Sequence, residues 1–351
     1  MGHVRIGGGV YGIAAEIEDA DGWIWQLVNV LDGSRSPDQV TAEVCDRCPE
    51  VTRGEVESAL EQLIEGGYLV DAAAPPPAEL SPRELERYAR SMQYYRWTDL
   101  TPRRSEWDVQ SILKHARVAV VGVGGAGGAA ALSLAASGVG HIHCVDADTV
   151  ELSNLNRQTL YTEDDIGKPK ADAAAARLRR LNSDITVTSR RLRIEDERDF
   201  GPVLVNTDLL VLGADRPPAI RIWANRACLA AGTAWVDGGY HGAHITVGGY
   251  TPGNGPCWEC LRAGDNAEER LPVASMDDLV KALPKAPGHP VTAVTAGLSG
   301  QLMAHWAIAL LTGAAPVTPG TVYGVNLMVP GDPVSVHHPR RPGCPACGAT
   351  G

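Results

Sequence analysis

No apolar run in the 351 residues is expected to span a bilayer, and the opening MGHVRIGGGVYG lacks the apolar core of a signal peptide. A cytoplasmic protein with no membrane partner is the expectation. Positive charge is in short supply: 31 Lys and Arg stand against 42 Asp and Glu, a net charge of −11. That balance argues against a general nucleic-acid or anionic-membrane binder. No internal repeat is visible.

What is present is an ordinary globular composition, 44% hydrophobic and 21% charged, long enough for a large domain and a small one. The alanine- and proline-rich DAAAPPPAELSP has nothing to bury and reads as a linker, assigned to residues 73–82. Residues 1–72 before it begin with a hairpin pattern, VRIGGGVYGIAAEIED. Three helical stretches follow, around GWIWQLVNVLDG, SPDQVTAEVCDR and TRGEVESALEQLIEGGYLV. The second opens on Ser-Pro-Asp and the third on Thr, both good N-terminal caps. In the third, Val56, Leu60, Leu63 and Ile64 share one face. A small winged-helix α+β domain is predicted.

Residues 83–351 open with the helix PRELERYARSMQYY and then alternate strand and helix. The strand candidates are RVAVVGV, HIHCVDAD, TVTSRRLR, DLLVLGAD and AWVDGGY, with helices such as PKADAAAARLRRLN between them. This alternation predicts an α/β, Rossmann-like, mostly parallel sheet. HITVGGYTPG, GTVYGVNL and PVSVHH predict an antiparallel extension, and VTAVTAGLSGQLMAHWAIALLTG a long small-residue helix.

The segment RVAVVGVGGAGGAAALSLAASGVGHIHCVDAD carries a GxGGxG turn at Gly122, Gly124, Gly125 and Gly127, and an acid, Asp146, closing the next strand. Such a turn lets backbone amides approach a phosphate at a helix N-terminus, and the acid meets ribose hydroxyls. These features alone do not separate NAD from ATP. The loop beyond does, with Asn154, Arg157 and Gln158 in ELSNLNRQ and Lys170 opening the following helix. A dinucleotide needs no two cations there. A triphosphate does, because charge builds on the α-phosphate under attack and pyrophosphate must leave. Arg157 supplies a planar fork and Lys170 a point charge. Asp215, ending DLLVLGAD, stands where a carboxylate holds Mg²⁺.

Six of the eight cysteines fall in CxxC pairs. Cys257 and Cys260 in GPCWECL, with Cys344 and Cys347 in PGCPACG, form a four-cysteine structural zinc signature. A fully ligated zinc ties the C-terminal end to the domain and has no open position for chemistry. Cys45 and Cys48 lack a second pair and read as packing residues, as do Cys144 and Cys228.

The GxGGxG turn, DADTVELSNLNRQ, GKPKA and the paired CxxC motifs together resemble the ubiquitin-activating enzyme family, with its bacterial adenylyltransferases for molybdopterin and thiamine sulfur carriers (the ThiF/MoeB family). The resemblance covers residues 83–351. It implies an ATP-dependent adenylyltransferase in which Asp146 holds ribose, Asn154, Arg157 and Lys170 hold phosphates, and Asp215 acts through Mg²⁺. ERYARS resembles the family's RYxRQ motif, which makes Arg90 an arginine finger acting on a partner copy in a homodimer. One departure is Arg216-Pro217-Pro218 after Asp215, where the family commonly has Asn; Asn225 is the candidate replacement. Members that pass substrate on as a thioester carry a cysteine after the first knuckle, and residues 261–343 hold none. Product is therefore expected directly from the acyl-adenylate.

Two acceptors compete: a sulfur carrier ending in Gly-Gly, and a short ribosomally made peptide of a natural-product pathway. The N-terminal module favours the peptide, since it resembles modules that add a leader peptide as a strand to a small sheet. Residues 37–67 hold more acids than bases, which disfavours a DNA-binding winged helix. With this module and DGGYHGAHITVGGYTPGNGPCWEC, the sequence resembles most the branch of microcin C-type peptide adenylyltransferases.

Overall fold

The computed structural model describes residues 2–7, 15–268, 290–329, 331 and 333–348. The protein divides into two compact units, Met1–Ile112 with Gly313–Ala315, and Leu113–Thr312 with Pro316–Gly351.

The first unit opens with β1 (His3–Ile6) antiparallel to β2 (Ala15–Glu18), Val4 facing Ile17 across the pair. The turn of this expected hairpin, residues 8–14, lies outside the described residues. Three helices follow: α1 (Trp23–Val30), α2 (Pro37–Arg47) and α3 (Arg53–Glu65). Ser36 with Gln39, and Thr52 with Glu55, make reciprocal capping boxes that start α2 and α3, each contributing about 1 kcal/mol. Gly22 offers α1 no side-chain cap. The Asp19 carboxylate replaces it, accepting from the amides of Ile24 and Trp25 at 2.9 and 3.0 Å.

Leu27, Val30, Val40, Val44, Val56, Leu60 and Leu63 form the core of this module, with Cys48 and Cys45 packed into it. The two cysteines are packing residues, as expected. Ile64 is a correction: it is 48% exposed, because the buried face of α3 is set by Val56, Leu60 and Leu63 and Ile64 lies beyond it. Further on, α4 (Pro82–Thr98) starts at a Ser81–Glu84 capping box and packs through Tyr88 with Leu80 and Trp107, a cluster separate from the first. The short α5 (Asp108–His115) leads toward the second unit.

The second unit is an eight-stranded sheet. Its parallel part runs β5 (Thr186–Arg190), β4 (His141–Val145), β3 (Arg117–Val121), β6 (Leu209–Leu212), β7 (Ala234–His241). Beyond β7 come β8 (His244–Tyr250), β9 (Thr321–Asn326) and β10 (Pro333–His337), all antiparallel. The Rossmann-like sheet with its antiparallel extension is thus the observed architecture. Strands β3 and β6 read as continuous apolar runs because helices cover both faces there. The order reverses between β3, which is followed in sequence by β4 on one side, and β6 on the other. Ligands of open α/β sheets sit at such a switch point, beyond the strand C-termini.

Helices α6 (Gly125–Ala136) and α7 (Lys170–Leu181) follow β3 and β4. A short α8 (Gly201–Leu204) and α9 (Ile220–Ala231) pack with β6 and β3 in a core containing Phe200, Leu210 and Leu212. After α10 (Trp258–Glu268) comes α11 (Ala293–Thr312), which lies along α6 and across β7 and β8. At 20 residues α11 is long and apolar enough to cross a membrane, which corrects the expectation that no run is. Its apolarity has another cause here: Met303, Trp306 and Ala307 are buried, and Gly300 lets it approach so closely that a Cβ would strike the Ala126 carbonyl.

Candidate active site

The turn joining β3 to α6 is built by close backbone approach. Gly122 takes φ +85°, and a Cβ there would lie 2.5 Å from the Ala214 amide nitrogen. At Gly127 a Cβ would collide with the Gly122 carbonyl, so helix, turn and the end of β6 pack backbone to backbone. Gly124 is the N-cap of α6 and Gly125 its first residue. The first amides of such a helix have no carbonyl partner within it and carry the positive end of its dipole.

Asp146 ends β4 beside this turn. One carboxylate oxygen accepts from the Val123 amide and the other from the Asp148 amide, both at 2.9 Å. Burial pushes its carboxyl above the ordinary aspartate value, against the pull of those amides and of Lys170. Lys170, at the start of α7, is buried, and its ammonium lies 3.4 Å from the exposed Asp148 carboxylate. Arg193 approaches the other oxygen of Asp148 at 3.5 Å.

The loop after Asp148 is pinned by Asn154. Its side-chain oxygen accepts from the Glu151 amide at 3.1 Å, and its carbonyl receives the amides of Arg157 and Gln158 at 3.0 and 2.9 Å. Arg157 and Gln158 are thereby presented from one turn. The Arg157 guanidinium donates to the Ser153 carbonyl at 2.9 Å and to Asn156 at 3.0 Å. Gln158 is buried with its carboxamide against Gly124, and its oxygen has no hydrogen-bond partner among the described residues. A buried acceptor left open calls for a donor from elsewhere.

Asp215 is exposed after the end of β6, one residue beyond the backbone that touches Gly122. One hard carboxylate oxygen facing water fits a Mg²⁺ ligand that keeps its other positions for water and phosphate. Asn225, the sequence candidate for the polar group beside it, is placed elsewhere. It is fully buried in α9, where it accepts from the Trp258 amide at 3.2 Å and reaches Glu259 and Cys257. Arg90 belongs to the first unit, exposed on α4 with its guanidinium 3.4 Å from Gln93.

Three residues of this region carried weaker signals in the sequence. Asp148 is the second acid of DAD, overshadowed by the first. Tyr161 is buried and donates to the Val123 carbonyl at 2.7 Å, tying the glycine turn to the loop; only its place just past NRQTL hints at this. Tyr240, near the end of β7, brings its hydroxyl to the start of α6, 3.8 Å from where a Cβ on Gly125 would lie.

The four cysteines of the paired motifs meet. Sulfur separations are 3.8 Å for Cys257–Cys260, 3.6 Å for Cys257–Cys344 and 3.5 Å for Cys260–Cys347, with all four within 4.8 Å of one another and buried. Tetrahedral zinc–thiolate bonds of about 2.3 Å set sulfurs about 3.8 Å apart, so this set fits one metal ion. None of the separations suits a disulfide, which needs about 2.05 Å. The Arg341 amide points at Cys260 sulfur at 3.4 Å, as in a metal knuckle.

The ThiF family model matches residues 90–346. The molybdopterin-synthase adenylyltransferase of Escherichia coli K12 is 33% identical over 275 residues, 77% of this chain and 99% of that protein. A sulfur carrier protein adenylyltransferase of Thermus thermophilus is 32% identical over 276 residues, 76% of this chain and 91% of that one. Among solved structures, E. coli MccB with AMPCPP and MccA matches with a TM-score of 0.72 at 24% identity, over 99% of this chain and 97% of that one. At that identity the likeness is one of fold, and it extends over both units.

Proposed function

Because the protein belongs to the ThiF family and is an ATP-dependent adenylyltransferase, we propose that it activates the C-terminal carboxylate of a short, ribosomally made peptide in natural-product biosynthesis. One observation carries this reading. The E. coli molybdopterin-synthase adenylyltransferase is matched over 99% of its length but only 77% of this chain, whereas the MccB fold match covers 99%. The family match begins at residue 90, which leaves outside it the N-terminal module with its own core, residues 1–72, and the reading assigns that module to peptide recognition. Residues 73–82 are its linker and 83–351 the adenylation domain. The two-stranded sheet leaves strand edges on which an extended peptide can pair by main-chain hydrogen bonds.

In the adenylation domain a carboxylate oxygen attacks the α-phosphorus of ATP. The new O–P bond gives the acyl-adenylate, and the bond to the β-phosphate breaks to release pyrophosphate. Asp146 meets the ribose, and Asn154, Gln158 and the α6 turn at Gly122, Gly124, Gly125 and Gly127 cradle the phosphates. Arg157 and Lys170 neutralise the charge that grows as pyrophosphate leaves. Asp215 would hold Mg²⁺, which supplies charge neutralisation on the triphosphate when bound. Arg90 would serve the site of a second copy, which makes the working species a homodimer. Zinc on Cys257, Cys260, Cys344 and Cys347 would be structural.

A second reading keeps the chemistry and changes the acceptor to a sulfur carrier ending in Gly-Gly. The T. thermophilus relative, named for a sulfur carrier, favours it. Titration of the full-length protein with candidate peptides and with such a carrier tests the choice. Peptide binding that disappears when residues 1–72 are removed supports the first reading, and carrier binding indifferent to that removal supports the second.

A further inference from the structure

Asn225 and Arg226, consecutive in α9, both reach the two residues that separate Cys257 from Cys260. The Asn225 side-chain oxygen accepts from the Trp258 amide at 3.2 Å, and its nitrogen donates to a Glu259 carboxylate oxygen at 3.3 Å. Arg226 closes on the same carboxylate with two bonds, Nε to one oxygen at 2.9 Å and Nη2 to the other at 3.1 Å. Trp258 is the first residue of α10, so its amide has no carbonyl partner within that helix. Asn225 supplies the partner from 33 positions away.

The two halves of the cysteine set are held differently. In the second, the Cys344 amide donates to the Arg341 carbonyl at 3.1 Å and the Gly348 amide to the Cys344 carbonyl at 2.8 Å, all within one local turn. In the first, the Cys257 carbonyl accepts from the Cys260 and Leu261 amides at 3.0 and 3.3 Å, but the residues between the cysteines are fixed from α9. Asn225 is fully buried and the Glu259 side chain is 12% exposed, so both groups have little water to fall back on. A carboxamide suits both contacts at once, with an oxygen for the amide and a nitrogen for the carboxylate.

Metal ligands are oriented by such outer contacts as much as by the ion itself. We infer that Asn225 and Arg226 are positioning residues of the metal knuckle, which fix the Cys257–Cys260 turn so that its two sulfurs stand ready for an ion shared with Cys344 and Cys347. The inference rests on the zinc reading of the four cysteines, whichever substrate the enzyme activates. A role in packing alone is kept by a residue of the same shape. The variant to use is therefore Asn225→Asp, which retains the acceptor for the Trp258 amide and removes the donor to Glu259.

The test is competition for zinc between the full-length protein and a chromogenic chelator of known affinity. Wild type, N225D, E259Q, the double variant N225D/E259Q and R226M are compared. N225D is expected to hold zinc about 10- to 100-fold more weakly, the usual cost of losing an outer contact, since it sets two carboxylates against each other. In the E259Q background the same change is expected to cost less than about 3-fold, because donor and acceptor trade places. R226M, which alters a side chain 42% exposed, is expected to weaken zinc roughly 3- to 10-fold. Wild-type affinity in N225D, or an equal cost of N225D in both backgrounds, overturns the inference. If N225D does not fold, wild-type affinity in R226M overturns it instead. A wild-type protein that takes up no zinc removes the metal and the inference with it, a result distinct from the others.

Discussion

Lys170 and Asp148 form an ion pair of 3.4 Å in which the cation is buried and the anion stands in solvent. A buried ammonium needs a counter-charge, and here that charge lies two residues past Asp146, on the loop that follows β4. A triphosphate entering there offers it a stronger anion. Replacing Lys170 or Arg157 by Ala is expected to cut adenylate formation at least about 100-fold while the fold is kept, as expected for loss of a preorganised charge. Acyl-adenylate accumulation followed by mass spectrometry decides it; wild-type rates in either variant remove that residue from the chemistry.

Ribose recognition by Asp146 predicts an acid dependence. Its carboxyl is pushed up by burial, so the folded state disfavours the anion at neutral pH, and that penalty fades as pH falls through the raised folded value. A ribose hydroxyl, in contrast, is better accepted by the ionised form. Adenosine affinity, free of phosphate titration, should therefore decline on acidification before an ordinary aspartate would protonate. In D146N it should be weak and insensitive to pH. An equally steep acid dependence in D146N would assign the proton to another group.

The glycines of the turn should not be equivalent. At Gly127 a side chain meets the Gly122 carbonyl, and neither backbone can yield without moving the turn. At Gly124 it would meet only the Gln158 carboxamide, whose nitrogen lies at an ordinary 3.5 Å. G127A is expected to lose roughly 1–3 kcal/mol of stability and most nucleotide affinity. G124A should lose far less of both. Thermal melts with and without AMPCPP make the comparison, and equal behaviour would show that the turn tolerates a shift.

The cysteine set predicts one zinc per molecule in protein purified without chelator, measurable by elemental analysis. Cys344→Ser should release the metal and lower Tm by about 10 °C, since structural zinc binding is part of the folding free energy. Nucleotide affinity should change little below the melting range. Metal-free native protein whose Tm is unaffected by C344S would contradict a structural ion.

The sequence disclosed this fold most clearly where one local signal dominates. The apolar runs of β3 and β6, the acid ending β4, and the Ser36 and Thr52 caps each name an element by short-range chemistry. The CxxC pairs worked across 87 residues of separation because metal geometry demands four sulfurs together. What stayed hidden depends on tertiary neighbours. Ile64 shares a helical face with buried residues by spacing, but the module's core ends before it. The apolar length of α11 reflects packing on α6 and the sheet, which sequence cannot distinguish from lipid. Asn225 looked like a partner for Asp215, yet α9 turns it toward Cys257 and Glu259. Tyr240 reaches Gly125 across more than 100 positions, with no periodicity to announce it.

The most direct measurement is exchange of labelled pyrophosphate into ATP, run with short synthetic peptides and, in parallel, with a sulfur carrier ending in Gly-Gly. The account predicts exchange that depends on a peptide bearing a free C-terminal carboxylate and disappears when that terminus is amidated. Exchange with the carrier alone would contradict it and make the protein a sulfur-carrier activator with an additional N-terminal module.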